Sequence, residues 1–534
     1  MIYEANMKKP IDKRKHFEEL LKKKGIKMPK GAALVRRDDP GPYKLSFGQR
    51  RIWFLQQFDT ASGAYNDPTA LRVKGPLNIA VLENTLTEII RRHQVLRMIF
   101  PANAGEVVQV LHENDRIKVP VIDLKKDPGR SIDDHVREFV NRFSGKPFDL
   151  SKDLLIDAAL LKIDKDDYAL VVNIHHIVLD GWSKGIMLQE LMDLYRNLSQ
   201  GKPSPLADLP IQYTDYVHWH HEWMKGKLFE TQLQYWLEKL KDAPPLLEMP
   251  TDFPRGGFAS GRGSLEPFSF SKSKFQALNE LAKQEDVTLF MVLLTAFNVL
   301  LFRYGGQEDI LIGTPVAGRQ RIELENLIGL FLNTLVIRSD LSGDPTFKTL
   351  LARVRATALA AFSNQDIPFE KLVEELNPQR SLNITPLFQV MFQLQNAPMP
   401  PAHISGLLIT PIQIDTGFSQ IDLSLTLWEE AGVMKGTFEY NSDLFTAATI
   451  KRMIDNFQVL TDGIIASRER NISYLPVMTA EEQRQISVEW NDTGCEYPEE
   501  SCISRLFEDC VCKNTGEDAV VFNDERLTYA QLNA

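Results

Sequence analysis

A chain of 534 residues is long enough for roughly two to four compact units with a sizeable core. Its 43% hydrophobic and 25% charged residues exclude a disordered or fibrous protein, and a net charge of -10 argues against nucleic acid as the main partner, since phosphate binding needs a basic face. All four cysteines, Cys495, Cys502, Cys510 and Cys512, fall in residues 495–534; residues 1–494 therefore hold no disulfide and no catalytic thiol, and the C-x6-C-x7-C-x-C spacing lacks the paired CxxC knuckles of a zinc site.

Residues 1–37 carry 12 Lys or Arg against 4 Asp or Glu. Within them Phe17, Leu20, Leu21 and Lys24 recur at helical spacing before Gly25, which predicts a short amphipathic helix, either solvated or docked on another protein. No apolar signal-peptide core is present, so the cytoplasm is the expected location. From Tyr43 the pattern becomes mixed. Val81, Leu82, Leu86, Ile89 and Ile90 mark one face of a helix over 80–92; YALVVNI (168–174) reads as a strand; a helix is expected over 184–198, with Ser183 as N-cap and Gly201 just past its end. The Pro- and Gly-rich stretch 243–264 predicts a link between two halves. The apolar run VTLFMVLLTAFNVLLF (287–302) is shorter than the roughly 20 residues a bilayer span needs and includes Thr and Asn, so it reads as a buried helix rather than a membrane anchor. After Trp490 a helix (501–512), a strand (519–522), a turn at Asn523-Asp524, a short strand and a helix start at Thr528 follow closely, and Ala534 falls in mid-element, as expected inside a further domain.

The stretch with most chemistry is VVNIHHIVLDGWS (171–183), where a strand ends in two histidines and an Asp-Gly follows. Neighbouring strand residues point to opposite faces, so His175 and His176 do not both face one cavity; one is expected to react while the other packs behind it. Imidazole titrates near cellular pH and accepts or donates a proton there. Asp180 requires a cationic partner if buried, and Gly181 permits a backbone shape or an approach that a side chain would forbid. Satisfied core histidines, a His/Asp metal site and a Ser-His-Asp hydrolase compete with this reading. The last two lack a third nearby ligand and a G-x-S-x-G elbow, respectively.

HHxxxDG followed by Trp182-Ser183 resembles the active-site signature of nonribosomal peptide synthetase condensation domains, relatives of chloramphenicol acetyltransferase. Further segments resemble that family in order: SFGQRRIWFLQQ (46–57) is similar to S-x-A-Q-x-R-L-W, with Gly48 for Ala and Ile52 for Leu; RHQVLRMIF (92–100) to R-H-E-x-L-R-T-x-F; YTDYVHW (213–219) to Y-x-D-Y-A-x-W. IGLFLNTLVIR (328–338) is similar to I-G-x-F-V-N-T-x-x-x-R, NQDIPFE (364–370) to H/N-Q-D-x-P-F-E, and RSLNITPLFQ (380–389) to R-x-x-S-x-x-P-L with its middle altered. Residues 490–534 resemble the start of an adenylation domain, without its nucleotide-binding motifs.

The resemblance implies an α/β (α+β) fold of two chloramphenicol acetyltransferase-like lobes, a V-shaped pseudo-dimer with a central tunnel. The corresponding division is a basic docking or linker segment (1–40), an N-lobe (41–220), a C-lobe (221–478), and a linker with a truncated adenylation start (479–534). The implied reaction is attack of a carrier-bound aminoacyl amine on an upstream carrier-bound acyl or peptidyl thioester. Both substrates ride on phosphopantetheine arms, and no cofactor is bound intrinsically. His176 is the expected base or orienting group, His175 its support, Asp180 the lock of the loop, and the Gly181 N–H an oxyanion donor. Arg92 and Arg319 are nominated to pair with Asp180, and Asn333, Trp182 and Ser183 as supporting residues. Expected partners are an upstream donor carrier, reached in trans through residues 1–37, and the acceptor carrier and adenylation domain of the same synthetase; neither nucleic acid nor membrane is expected. The opening motif and Trp182 resemble domains joining an L-donor to an L-acceptor. A lipo-initiating starter domain, a coenzyme A-dependent acyltransferase and a catalytically inactive scaffold are the alternatives.

Overall fold

The computed structural model describes residues 34–58, 63–103, 105–124, 131–256, 261–378, 385–395, 402–412, 414–415, 417–494 and 501–534. The basic helix expected before Gly25, Cys495 and the altered middle of the RSLNIT segment lie outside the described residues. The chain divides into two compact units, Met1–Val477 and Met478–Ala534.

The first unit is built on two six-stranded sheets. One runs in the order Ala402–Ile404, Leu407–Ile412, Asn66–Lys74, Asp167–His175, Ile156–Asp164, Val121–Asp123, antiparallel except for its last pair. The alternation of Leu170, Val172 and Ile174 with Ala169 and Val171 makes both faces of the central strand apolar, so both must be covered. The first set packs with Leu82, Leu86, Ile89 and Ile90 of the helix Ile79–Arg92 and with the helix Gly181–Leu198. The second packs with Val136 and Val140 of the helix Ile132–Ser144.

The other sheet runs Asn333–Asp340, Asp309–Val316, Val390–Gln395, Leu423–Glu430, Val433–Asn441, Gly263–Ser269, with parallel pairing on both sides of Val390–Gln395. Its central helix is Leu289–Gly305, capped by the Thr288 side chain; every residue from Met291 to Leu301 is buried, as a helix apolar all round its circumference must be. Phe297 meets the rings of Phe392, Phe438 and Phe457. Among the described residues no single helix is long and apolar enough to cross a membrane; the pair Lys272–Gln284 and Leu289–Gly305 passes by composition only and is bent by 105°.

A division at residues 220/221 is not a division in space. The strands Ala402–Ile404 and Leu407–Ile412, from the second half of the sequence, extend the first sheet through Asn66–Lys74. Residues 317–332, which connect Asp309–Val316 to Asn333–Asp340, put Leu324, Leu327, Ile328, Leu330 and Phe331 into the core of the first lobe. Apolar side chains follow burial rather than sequence order, and this crossing segment has its burial in the opposite lobe.

The second unit holds the short helix Ala480–Arg484, the helix Ile503–Lys513 and a hairpin of Asp518–Phe522 with Glu525–Thr528, after which Thr528 caps Tyr529–Asn533.

Candidate active site around His176

The central strand Asp167–His175 delivers the two histidines to its end. His175 is still strand: its N–H donates to Leu155 O at 3.0 Å, and it pairs with Asn66. His176 starts a single 3-10 turn, His176–Val178, with its N–H donating to Tyr65 O at 2.8 Å. The alternation of the strand thus separates them. His175 is 1% exposed, its ring centre lies 6.3 Å from that of Tyr65 and 6.2 Å from that of Phe148, and its Nδ1 accepts the Ile177 N–H at 3.2 Å. Burial, and to a lesser degree the neighbouring His176, pushes its pKa down to about 3, so the ring is neutral near pH 7. His176 is half-buried; its Nδ1 is enclosed, and no group among the described residues hydrogen-bonds it.

Asp180 caps the helix Gly181–Leu198, its Oδ1 accepting the Ser183 N–H at 2.8 Å. The helix therefore starts three residues before the expected Lys184, and Ser183 is not its N-cap. Two cap-forming residues compete here. Asp180 takes the role because its carboxylate also accepts from outside the helix: from Arg319 Nη1 at 3.0 Å and from the Phe331 N–H at 2.9 Å. Both side chains of the Asp180–Arg319 pair are 1% exposed. Arg319 also donates through Nη2 to Ser183 Oγ (2.7 Å) and Leu327 O (3.0 Å), and its guanidinium lies 4.1 Å over the Phe331 ring. Ser183 is a junction instead of a cap: its Oγ donates to Gly329 O at 2.9 Å and accepts the Gly329 N–H at 3.1 Å.

Of the two arginines nominated for Asp180, Arg92 is elsewhere, with its Nε donating to Glu190 at 2.9 Å. It ends the helix Ile79–Arg92, beside the third turn of Gly181–Leu198 and not beside the first, so it pairs with the carboxylate at that height. Gly181 has no left-handed φ, and nothing lies within 4 Å of where its Cβ would be; room for a close approach is what the glycine leaves. Trp182 is 45% exposed and donates from Nε1 to Glu325 O at 3.1 Å. Asn333 stands apart from the histidines: its amide donates to Gln365 O and Ile367 O and accepts the Phe369 N–H, pinning the turn of the NQDIPFE segment. It lines a cavity of about 130 Å³ with Tyr216, Trp219, Phe331 and Asp366, a cavity whose lining does not include His176.

Two residues within the motifs, neither of them nominated above, shape the site. Gln49, fully buried, donates from Nε2 to Ile177 O at 3.2 Å, holding the turn that follows His176. Tyr213 OH donates to Leu330 O at 2.7 Å and so fixes the crossing segment from beneath. The signal that marks Gln49 is a polar residue on the buried side of the helix Phe47–Phe58, beside buried Ile52.

The family model for the condensation domain matches residues 40–487. A linear gramicidin synthase subunit of Brevibacillus parabrevis is 41% identical over 519 residues, covering 97% of this chain and 10% of that protein. Chondramide synthase cmdD of Chondromyces crocatus is 40% identical over 494 residues, covering 92% of this chain and 13% of that protein. The chain thus spans only about a tenth of the length of such curated relatives. A solved four-domain nonribosomal peptide synthetase bound to AMP and glycine superposes with a TM-score of 0.79 at 24% identity, over 92% of this chain and 38% of that one. The X-domain from teicoplanin biosynthesis superposes with a TM-score of 0.76 at 26% identity, over 84% of this chain and 100% of that one. The two lobes have the chloramphenicol acetyltransferase-like fold of these neighbours. Condensation domains of nonribosomal peptide synthetases are amide-forming acyltransferases that work beside carrier and adenylation domains, on substrates held by phosphopantetheine arms and without an intrinsic cofactor. A model match over most of the length and relatives near 40% identity lead to one conclusion: the chain belongs to the condensation-domain family of nonribosomal peptide synthetases.

Proposed function

We propose that this chain joins an upstream carrier-bound acyl or peptidyl thioester to the amine of a carrier-bound aminoacyl thioester, with L-configured donor and acceptor. The observation that carries the reading is the division of labour at the strand end: His175 is buried and held neutral, while His176 is half-buried on a loop fixed by the Asp180–Arg319 pair. The acceptor nitrogen attacks the donor carbonyl carbon, a C–N bond forms, the C–S bond breaks, and the donor thiol leaves. An α-amino group near pKa 7.7 to 8.0 is partly neutral at cellular pH, so the barrier lies less in ground-state deprotonation than in alignment. His176 orients the amine, takes its proton as the tetrahedral intermediate forms, and returns it to the departing sulfur. The Gly181 N–H, at the positive end of the helix Gly181–Leu198, stabilises the developing oxyanion. The L-to-L assignment is supported by the SFGQRRIWFL opening and Trp182.

His176→Ala, assayed with both carriers loaded, is expected to lose at least about 100-fold in amide formation, the usual scale for a positioned acid–base group; near wild-type product would leave the histidine no essential chemical part. We place the enzyme in the cytoplasm, assign residues 479–534 to a linker and an adenylation start, and assign residues 1–37, with their 12 basic side chains, to recruitment of the donor carrier. Deleting residues 1–37 is expected to weaken transfer from the loaded upstream carrier and to spare a small soluble thioester donor. Equal loss with both donors would remove the docking assignment.

A further inference from the structure

In the third turn from its Asp180 end, the helix Gly181–Leu198 carries a buried carboxylate with no part in the reaction above. Glu190 is 5% exposed; its Oε1 accepts from Arg92 Nε at 2.9 Å, and its Oε2 lies 2.9 Å from His93 Nε2. His93 is 1% exposed and has its other ring nitrogen in use, because the Ile328 N–H donates to Nδ1 at 3.3 Å. A ring nitrogen that accepts carries no proton, so the single proton of the neutral imidazole sits on Nε2 and is donated to Glu190. One side chain thereby joins the helix that starts at Gly181 to the segment that crosses from the other lobe.

The next residue of that segment is Gly329, whose N–H and C=O both engage Ser183 Oγ. Two residues further, the Phe331 N–H reaches Asp180. Ser183 and Glu190 are seven residues apart, which at 3.6 residues per turn puts them on one face of the helix. The crossing segment is thus fastened to this face at two heights: directly at Ser183, and through His93 at Glu190. Arg319 and Tyr213 hold the neighbouring Leu327 and Leu330 carbonyls. The Ile328 N–H, directly before Gly329, is held by His93, so without that bond a small shift at Ile328 passes to Gly329 and on toward the Phe331–Asp180 contact.

We propose that His93, backed by Glu190, is a positioning residue for amide-bond formation, setting the register of the crossing segment against the first turn of the helix at Gly181. This rests on the reaction proposed above. A misplacement of about 1 Å at a reacting centre costs on the order of 100-fold in rate. His93→Leu fills similar space and gives up both hydrogen bonds; it is expected to lower kcat by about 10- to 100-fold, with KM for each loaded carrier unchanged within about twofold. His93→Asn keeps an acceptor for the Ile328 N–H and is expected to recover most of that loss. Should His93→Leu fail to fold, Glu190→Gln, which keeps the shape and weakens the hold on His93, is expected to reproduce the kcat loss in milder form. Wild-type kcat in folded His93→Leu or Glu190→Gln overturns the proposal. So does a loss that His93→Asn shares in full, the mark of disturbed packing rather than a missing acceptor. If the wild-type chain itself forms no amide with two loaded carriers, the reaction reading has failed instead. The register role is then decided by hydrogen exchange: it stands if Ile328 and Gly329 amides lose protection selectively in His93→Leu, and falls if they do not.

Discussion

Burial holds His175 near pKa 3 and His220 near pKa 4, both below the ordinary histidine value of about 6.5. Between those limits the unfolded chain binds protons that the folded chain refuses, so stability is present above pH 6.5 and is lost as pH falls through the window. At pH 5 each group costs about 2 kcal/mol, from about 1.36 kcal/mol per pH unit over the 1.5 units below 6.5. The melting temperature is therefore expected to fall between pH 7 and pH 5, and to fall less steeply in His175→Gln, measured with wild type in parallel; identical slopes would contradict the assignment. The two-histidine motif was legible as chemistry, and strand alternation alone separated the residues. Which of them was buried was not legible, because the alternation does not say which face the helix Ile132–Ser144 covers. Glu190 and His93 were also hidden: a buried glutamate in a helix reads in sequence as any surface glutamate until its partners are in place.

The helix Gly181–Leu198 shows how an element boundary is decided outside the element. Local rules offered Ser183 as the cap, and the Asp180 carboxylate takes that place through contacts with Arg319 and Phe331, which are more than a hundred residues away. That arrangement predicts a specific pattern of stability. Asp180→Asn leaves the buried Arg319 charge without its counterion and is expected to destabilise by about 3–5 kcal/mol, read from the urea midpoint. Asp180→Leu combined with Arg319→Met removes both charges, and its midpoint is expected to lie closer to wild type than that of either single change. A double variant as unstable as the sum of the singles would show that the pair contributes through shape and not through charge. The buried helix expected at 287–302 is observed as Leu289–Gly305 because a run apolar on every side has only one environment open to it.

At the scale of the whole molecule, one strand of the first sheet, at 168–174, was legible, whereas the strands of the second sheet and the order of strands in both were not. Periodicity marks Asp167–His175 and its like, whereas nothing local tells residues 402–412 to pair with residues 66–74. Backbone pairing and apolar burial make that choice only when both halves are present. Replacing residues 402–412 by a flexible linker of equal length would expose the edge of Asn66–Lys74 and leave the second sheet whole, and the variant is expected to aggregate or remain partly unfolded by circular dichroism and gel filtration. A monomeric, cooperatively folding product would show that the two outer strands are dispensable. Descent and recombination are constrained by the same arrangement. Asp180, Ser183 and His93 belong to the first half of this stretch of sequence, and Arg319, Gly329 and Ile328 to the second. A crossover between relatives at the middle of this region would unite halves whose buried contacts arose in separate lineages. Chimeras of two relatives joined between Ser183 and Arg319 are therefore expected to be less stable than chimeras joined outside residues 93–331, read from their urea midpoints.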